Sequence, residues 1–170
     1  MPPALVAYRL VMTRPYLLID VDGVLNPFGA GRAPDGFARH ELLGYDVWLS
    51  PRHGLWLNGL VTWFDLVWAT TWEHDAPRLI APILELPNDF PVIEFRQSEG
   101  ETWKLRDVAR FAGNRPLAWI DDDLLGDAFA WADQRTAPTL LIRTSPNVGL
   151  VEQDVWRLEA FGRLVTESNE

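Results

Sequence analysis

The run Tyr16-Leu17-Leu18-Ile19 leads without a break into Asp20-Val21-Asp22-Gly23. Four mostly apolar residues ending at a glycine-bounded turn specify a strand buried on both faces, the kind found inside parallel sheets. The carboxyl end of such a strand is where open α/β sheets place their ligands. Asp20 and Asp22 are separated by one residue, so on a local extended bend both carboxylates can face one crevice. Two acids held that close repel each other, and a hard cation such as Mg²⁺ relieves the repulsion. An Asx-rich turn after a strand has the same composition. The pair therefore takes its meaning from the segments downstream of it.

Three later segments supply that context. Leu66-Val67-Trp68-Ala69-Thr70 is a second apolar run, ending in a hydroxyl. Lys104 opens the helical pattern Lys104-Leu105-Arg106-Asp107-Val108-Ala109-Arg110-Phe111-Ala112, which Gly113 closes. Leu117-Ala118-Trp119-Ile120 is another strand, running into Asp121-Asp122-Asp123. Taken in this order, the four segments resemble the motifs of the haloacid dehalogenase (HAD) superfamily of phosphohydrolases. The resemblance covers about residues 16 to 125. Four ordered motifs, each at a strand or helix boundary, are far more specific than any one of them.

Between and beyond the motifs, strands alternate with helices, the pattern of a doubly wound parallel α/β sheet. Five strands are expected, over 16–19, 66–70, 91–95, 117–120 and 139–143, with Pro91 suited to an edge. Helices are expected from Ser50-Pro51, from Asp75-Ala76-Pro77, from Lys104, around Leu125 to Ala132, and over Leu150 to Val165. Residues 26 to 39 read as a loop, and Leu42 to Leu49 as a short hairpin pivoting on Gly44. The whole chain, 1–170, reads as one domain with residues 1–14 as a loose arm. The resemblance implies a Rossmann-like HAD fold in which residues 26–49 form a small flap beside the site. The insertion is too short for a large cap domain.

The roles that the resemblance implies meet the physical demands of phosphoryl transfer. Asp20 would be the nucleophile, giving an aspartyl-phosphate. Asp22 would protonate the leaving alcohol and then deprotonate the attacking water. Thr70 would hydrogen-bond a phosphoryl oxygen, and Lys104 would neutralise charge on the nucleophile and the phosphate. Mg²⁺ would be held by Asp20, by Asp22 through its backbone carbonyl, and by an acid from Asp121 to Asp123. Matching Ile-Asp-Asp makes Asp122 the inner ligand and Asp121 its neighbour, although the third acid leaves a one-residue slip open. Thr71, Trp72 and His74 come after the second motif at the mouth of the site and are candidate substrate contacts. Each residue also has an ordinary structural use: a strand end for Thr70, a solvated helix position for Lys104, a helix cap among the three acids.

The surroundings of Lys104 resemble HAD-type deoxyribonucleotidases, and Ile-Asp-Asp recurs there and in polynucleotide 3′-phosphatases. Trp68-Ala69-Thr70-Thr71-Trp72-Glu73-His74 resembles HAD domains found beside RNA-repair modules. The implied substrate is a phosphomonoester, either a small phosphorylated molecule or a nucleic-acid end. The competing reading is a catalytically silent HAD-fold module that binds a metal and a phosphorylated partner.

Composition narrows these options. A net charge of −9 is the wrong sign for an extensive nucleic-acid groove, though a local pocket can still hold one terminal phosphate. The chain has no cysteine, which excludes disulfides, thiolate metal sites and cysteine nucleophiles, and fits a cytoplasmic setting. The first ten residues lack the apolar core of a secretory signal, and no apolar run approaches a membrane span.

Overall fold

The computed structural model describes residues 13–96 and 98–168. In chain order its elements are β1 (Tyr16–Ile19), the hairpin β2 (Ala38–Leu42) and β3 (Tyr45–Leu49), α1 (Pro51–Leu60) and β4 (Asp65–Trp68). A π-helical stretch, Ala76–Ile80, then runs into α2 (Ala81–Ile83). After it come α3 (Leu105–Ala112), β5 (Leu117–Asp121), α4 (Gly126–Gln134), β6 (Thr139–Arg143) and α5 (Glu152–Glu167). The four longitudinal strands pair in parallel in the order β4-β1-β5-β6. The chain leaves β1 for β4 on one side and returns to β5 on the other, so the strand order reverses beside β1. That switch point opens a crevice at the carboxyl ends.

Strand alternation explains why these segments are apolar throughout. Leu17, Ile19, Trp68, Ala118, Ile120 and Ile142 face one layer, against Leu57 and Leu60 of α1 and Val155 and Leu158 of α5. Leu18, Val67, Trp119 and Leu141 face the other, against Val108 and Ala112 of α3 and Ala128 of α4. Each large side chain removed from water contributes on the order of 1.5–3 kcal/mol. With helices on both faces, no strand position in the centre can be polar without cost.

Two expectations need correction. The fifth strand over 91–95 is reduced to a single bridge between Val92 and Trp68. Trp68 donates to the Pro91 carbonyl and receives the Ile93 amide, each at 2.9 Å. Beyond that point side chains take the groups a ladder would have used. The Phe95 amide donates to Glu73 (3.0 Å) and the Arg96 amide to Asp107 (2.9 Å). The hairpin, in contrast, begins earlier than its apolar pattern suggests, at Ala38. Its tip is a two-residue turn, with Leu43 at φ 54° and Gly44 at φ 79°, the primed geometry that matches strand twist. Of the expected loose arm, residues 1–12 lie outside the described residues. Arg14 is anchored, pairing with Asp65 at 2.7 Å and donating to the Val61 carbonyl at 2.7 Å.

Ser50 caps α1 by accepting the Arg52 amide, and Pro51 occupies its first turn. Further along, α1 lies almost in contact with the end of α2. A Cβ placed on Gly54 would sit 2.1 Å from the Leu84 carbonyl oxygen, whereas one on Gly59 would meet nothing. The π-helical stretch ends where Pro82, lacking an N–H, interrupts the ladder. His53 is buried, its Nε2 donating to the Leu150 carbonyl at 3.0 Å.

Gly54→Ala should lower the urea midpoint by the equivalent of roughly 1–3 kcal/mol through overpacking. Gly59→Ala, in the same helix, should raise it by about 0.5–1 kcal/mol. Burial lowers the His53 pKa from its ordinary value, against a smaller upward pull from the Leu150 carbonyl. The unfolded chain therefore takes up a proton first, near pH 6.5. Stability should fall as pH drops from there toward the lowered folded value, then level off. Denaturant midpoints measured across that window should flatten in His53→Gln.

Candidate active site

Adjacent parallel strands deliver their ends to the same place. β1 and β5 pair Ile19 with Ile120, so the next residues, Asp20 and Asp121, emerge side by side. The Asp20 amide continues the ladder to the Ile120 carbonyl at 3.2 Å. α3 crosses the sheet so that Lys104, at its N-terminal boundary, enters between them. Its Nζ lies 2.8 Å from Asp20 Oδ2 and 2.7 Å from Asp121 Oδ2, and donates to the Ala69 carbonyl at 3.2 Å. All three ammonium donors are thereby used. Asp20, Lys104 and Asp121 are each at most 4% exposed. The other Asp20 oxygen accepts the Val21 amide at 2.7 Å, which fixes the plane of the carboxylate.

One buried cation faces two buried anions, so the knot carries excess negative charge. Burial, and then the Asp121 charge, push the Asp20 carboxyl up to about 7, against the opposing pull of Lys104. Burial depresses Lys104, but the two carboxylates outweigh it and its pKa rises. Asp122, partly buried, is also raised, by burial and then by Asp121. Asp20, Asp121 and Asp122 each offer an oxygen within 4.8 Å of the others. Asp122 packs over the first turn, where a Cβ on Gly23 (φ 80°) would sit 2.4 Å from its Cγ. Only glycine permits that approach. An all-oxygen set with surplus negative charge fits a hard divalent cation.

Asp22 turns away from this cluster. Its Oδ1 accepts from Asn26 Nδ2 at 2.8 Å and its Oδ2 from Trp72 Nε1 at 3.0 Å. Two cavities meet beside it. The smaller, about 210 Å³, is lined by Asp20, Asp22, Thr71, Lys104 and Asp121 to Asp123, with Phe28 and Trp103 as aromatic walls. The larger, about 410 Å³, lies between the hairpin residues Leu43 to Val47 and the loop carrying Thr71, Trp72 and Asp75. Asp22 and Thr71 line both.

The remaining candidates divide. Thr70 is fully buried, its hydroxyl accepting the Trp72 amide at 3.3 Å, and it lines neither cavity. His74 lines neither as well, and pairs with Glu94 at 2.9 Å on the surface. Asn26, Phe28, Tyr45 and Trp103 were not singled out by sequence reasoning. Asn26, four residues past Asp22 at the close of the first motif, and Trp103, beside Lys104, carried a positional signal. Phe28 and Tyr45 lie in segments whose placement depends on tertiary packing.

Lys104→Met should be destabilising by about 3–5 kcal/mol in denaturant melts without metal, because two buried carboxylates lose their cation. Asp20→Asn leaves Lys104 and Asp121 matched one to one. In EDTA it should melt above the wild-type protein, and a lower melting temperature would mean that the Lys104–Asp20 pairing outweighs the repulsion.

Among the described residues no helix is long and apolar enough to cross a membrane. No curated protein matches the chain. A family model does match, over residues 16–155, from the first strand into α5. By that match the chain belongs to the family of HAD domains in Swiss Army Knife RNA repair proteins.

Proposed function

We propose that the protein is a Mg²⁺-dependent phosphohydrolase that cleaves a phosphomonoester through an aspartyl-phosphate on Asp20. Nucleotides and nucleic-acid terminal phosphates are its first candidate substrates. The observation that carries this reading is the placement of Asp20 and Asp22. Asp20 is held against Lys104 in the smaller cavity, while Asp22 stands where that cavity meets the larger one. A phosphate in the smaller cavity places its leaving group in the larger.

Asp20 attacks phosphorus, forming an O–P bond as the bond to the leaving oxygen breaks. Asp22 gives that oxygen a proton, then takes one from the water that cleaves the acyl phosphate and restores Asp20. Lys104 spreads the charge that develops on Asp20 and the phosphoryl group. Thr71, in the wall of both cavities, offers donors to the phosphoryl oxygens, while Thr70 supports that turn through its hydrogen bond from the Trp72 amide. A divalent cation held by Asp20, Asp121 and Asp122 would supply further charge neutralisation when bound. The RNA-repair association of the family favours a nucleic-acid end, and the net charge of −9 favours contact with the terminus rather than a long duplex. The hairpin serves as the flap over the leaving-group side.

A binding module without turnover is the second reading, and the two hydrogen bonds already occupying Asp22 speak for it. A panel of p-nitrophenyl phosphate, nucleotides and 3′-phosphorylated oligonucleotides separates the two. Turnover should appear with Mg²⁺, vanish with EDTA, and be abolished in Asp20→Asn. Asp22→Asn should lose about 10²–10⁴-fold on esters with poor leaving groups. No turnover on any member would favour the binding module. At about 100 times its Kd, Mg²⁺ should stabilise the wild-type protein by roughly 2.7 kcal/mol. In a thermal melt that is a rise on the order of 5–10 °C, with a smaller gain in Asp20→Asn.

A further inference from the structure

The Asp22 carboxylate is held on both oxygens by neutral side-chain donors, Asn26 Nδ2 and Trp72 Nε1. Both donors are themselves anchored. Asn26 is only 7% exposed, and its Oδ1 accepts the Trp48 amide of β3 at 2.8 Å. The Trp48 amide can only donate and the Asp22 carboxylate, when ionised, can only accept, so the Asn26 amide has one consistent orientation, oxygen to Trp48 and nitrogen to Asp22. Trp72 is fixed from below, its amide donating to the buried Thr70 hydroxyl at 3.3 Å. Its indole nitrogen then reaches Asp22 across fifty residues of sequence. The carboxylate is thus gripped on one oxygen by a residue tied to the hairpin and on the other by the loop after β4.

We propose that Asn26 and Trp72 are positioning residues that hold the Asp22 carboxyl at the junction of the two cavities, where it meets the leaving oxygen. A carboxylate on a short turn otherwise rotates about its last torsion, and proton transfer falls off once the donor oxygen leaves hydrogen-bond reach. Trp72 also walls the larger cavity. The group that lines the leaving-group space is therefore the group that aims the proton donor. This inference rests on the phosphohydrolase reading and assigns work within it to Asn26 and Trp72.

Leaving groups reveal the difference between positioning and general support of the fold. An alkoxide must receive a proton as its bond to phosphorus breaks, whereas p-nitrophenolate leaves without one. Trp72→Phe keeps the ring and deletes only the donor. Its kcat/KM on glycerol phosphate, which reports expulsion of the leaving group and not the later hydrolysis common to both esters, should fall at least about tenfold further than its kcat/KM on p-nitrophenyl phosphate. Asn26→Ala should shift the same ratio in the same direction, and carries the test alone if Trp72→Phe fails to melt cooperatively. In an Asp22→Asn background neither substitution should change the ratio further, because the group they aim is already lost. Equal losses on both esters, or a further change of the ratio in the Asp22→Asn background, would overturn the assignment alone. A wild-type protein inactive on these two esters and on the nucleotide and oligonucleotide panel alike would overturn the phosphohydrolase reading and this assignment with it.

Discussion

The contact on which the site depends is the buried bridge from Lys104 to Asp20 and Asp121. An ammonium removed from water is tolerable only when its charge and all its donors are answered. Here two carboxylates and the Ala69 carbonyl answer them, and in doing so tie α3 to the ends of β1 and β5 and to the segment after β4. One side chain joins the segments that carry the four motifs. The arrangement is asymmetric in charge, and that asymmetry leaves room for a second cation. Asp122, lying over Gly23, completes an oxygen set with Asp20 and Asp121.

Around this knot lie two cavities of different character. The smaller is lined by Asp20, Asp22, Lys104 and Asp121 to Asp123. The larger is walled by the hairpin and by the Thr71–Asp75 loop, and is wide enough for part of a nucleoside-sized group. The hairpin is not an independent lid. Asn26 couples it to the first motif, so the geometry of the hairpin and that of Asp22 are set together.

Much of the parallel sheet was legible in the sequence because each central strand is apolar on both faces and each ends at a turn or an acid. The helices announced themselves through Ser50-Pro51 and Gly113 and through apolar spacing. The edge segment over 91–95 was not legible. Its β-prone letters were real, but Glu73, remote in sequence, took the Phe95 amide, and Asp107 the amide of Arg96 just beyond it. The start of β2 was equally hidden, since Ala38 to Glu41 form a strand through pairing with β3 rather than through an apolar pattern of their own.

Sequence alone determined which residues carry charge to the carboxyl ends of β1 and β5, because local period and turn chemistry are properties of short segments. It also determined that a lysine would open α3. Tertiary structure alone decided what those charges meet. It paired Lys104 with two acids, turned Asp22 toward Asn26 and Trp72, withdrew Thr70 and left Thr71 in the cavity wall, and sent His74 to Glu94. The reason is physical. Hydrogen bonds and ion pairs act over about 3 Å, and proximity between residues as distant in sequence as Asp22 and Trp72 is created by packing, which no local pattern encodes.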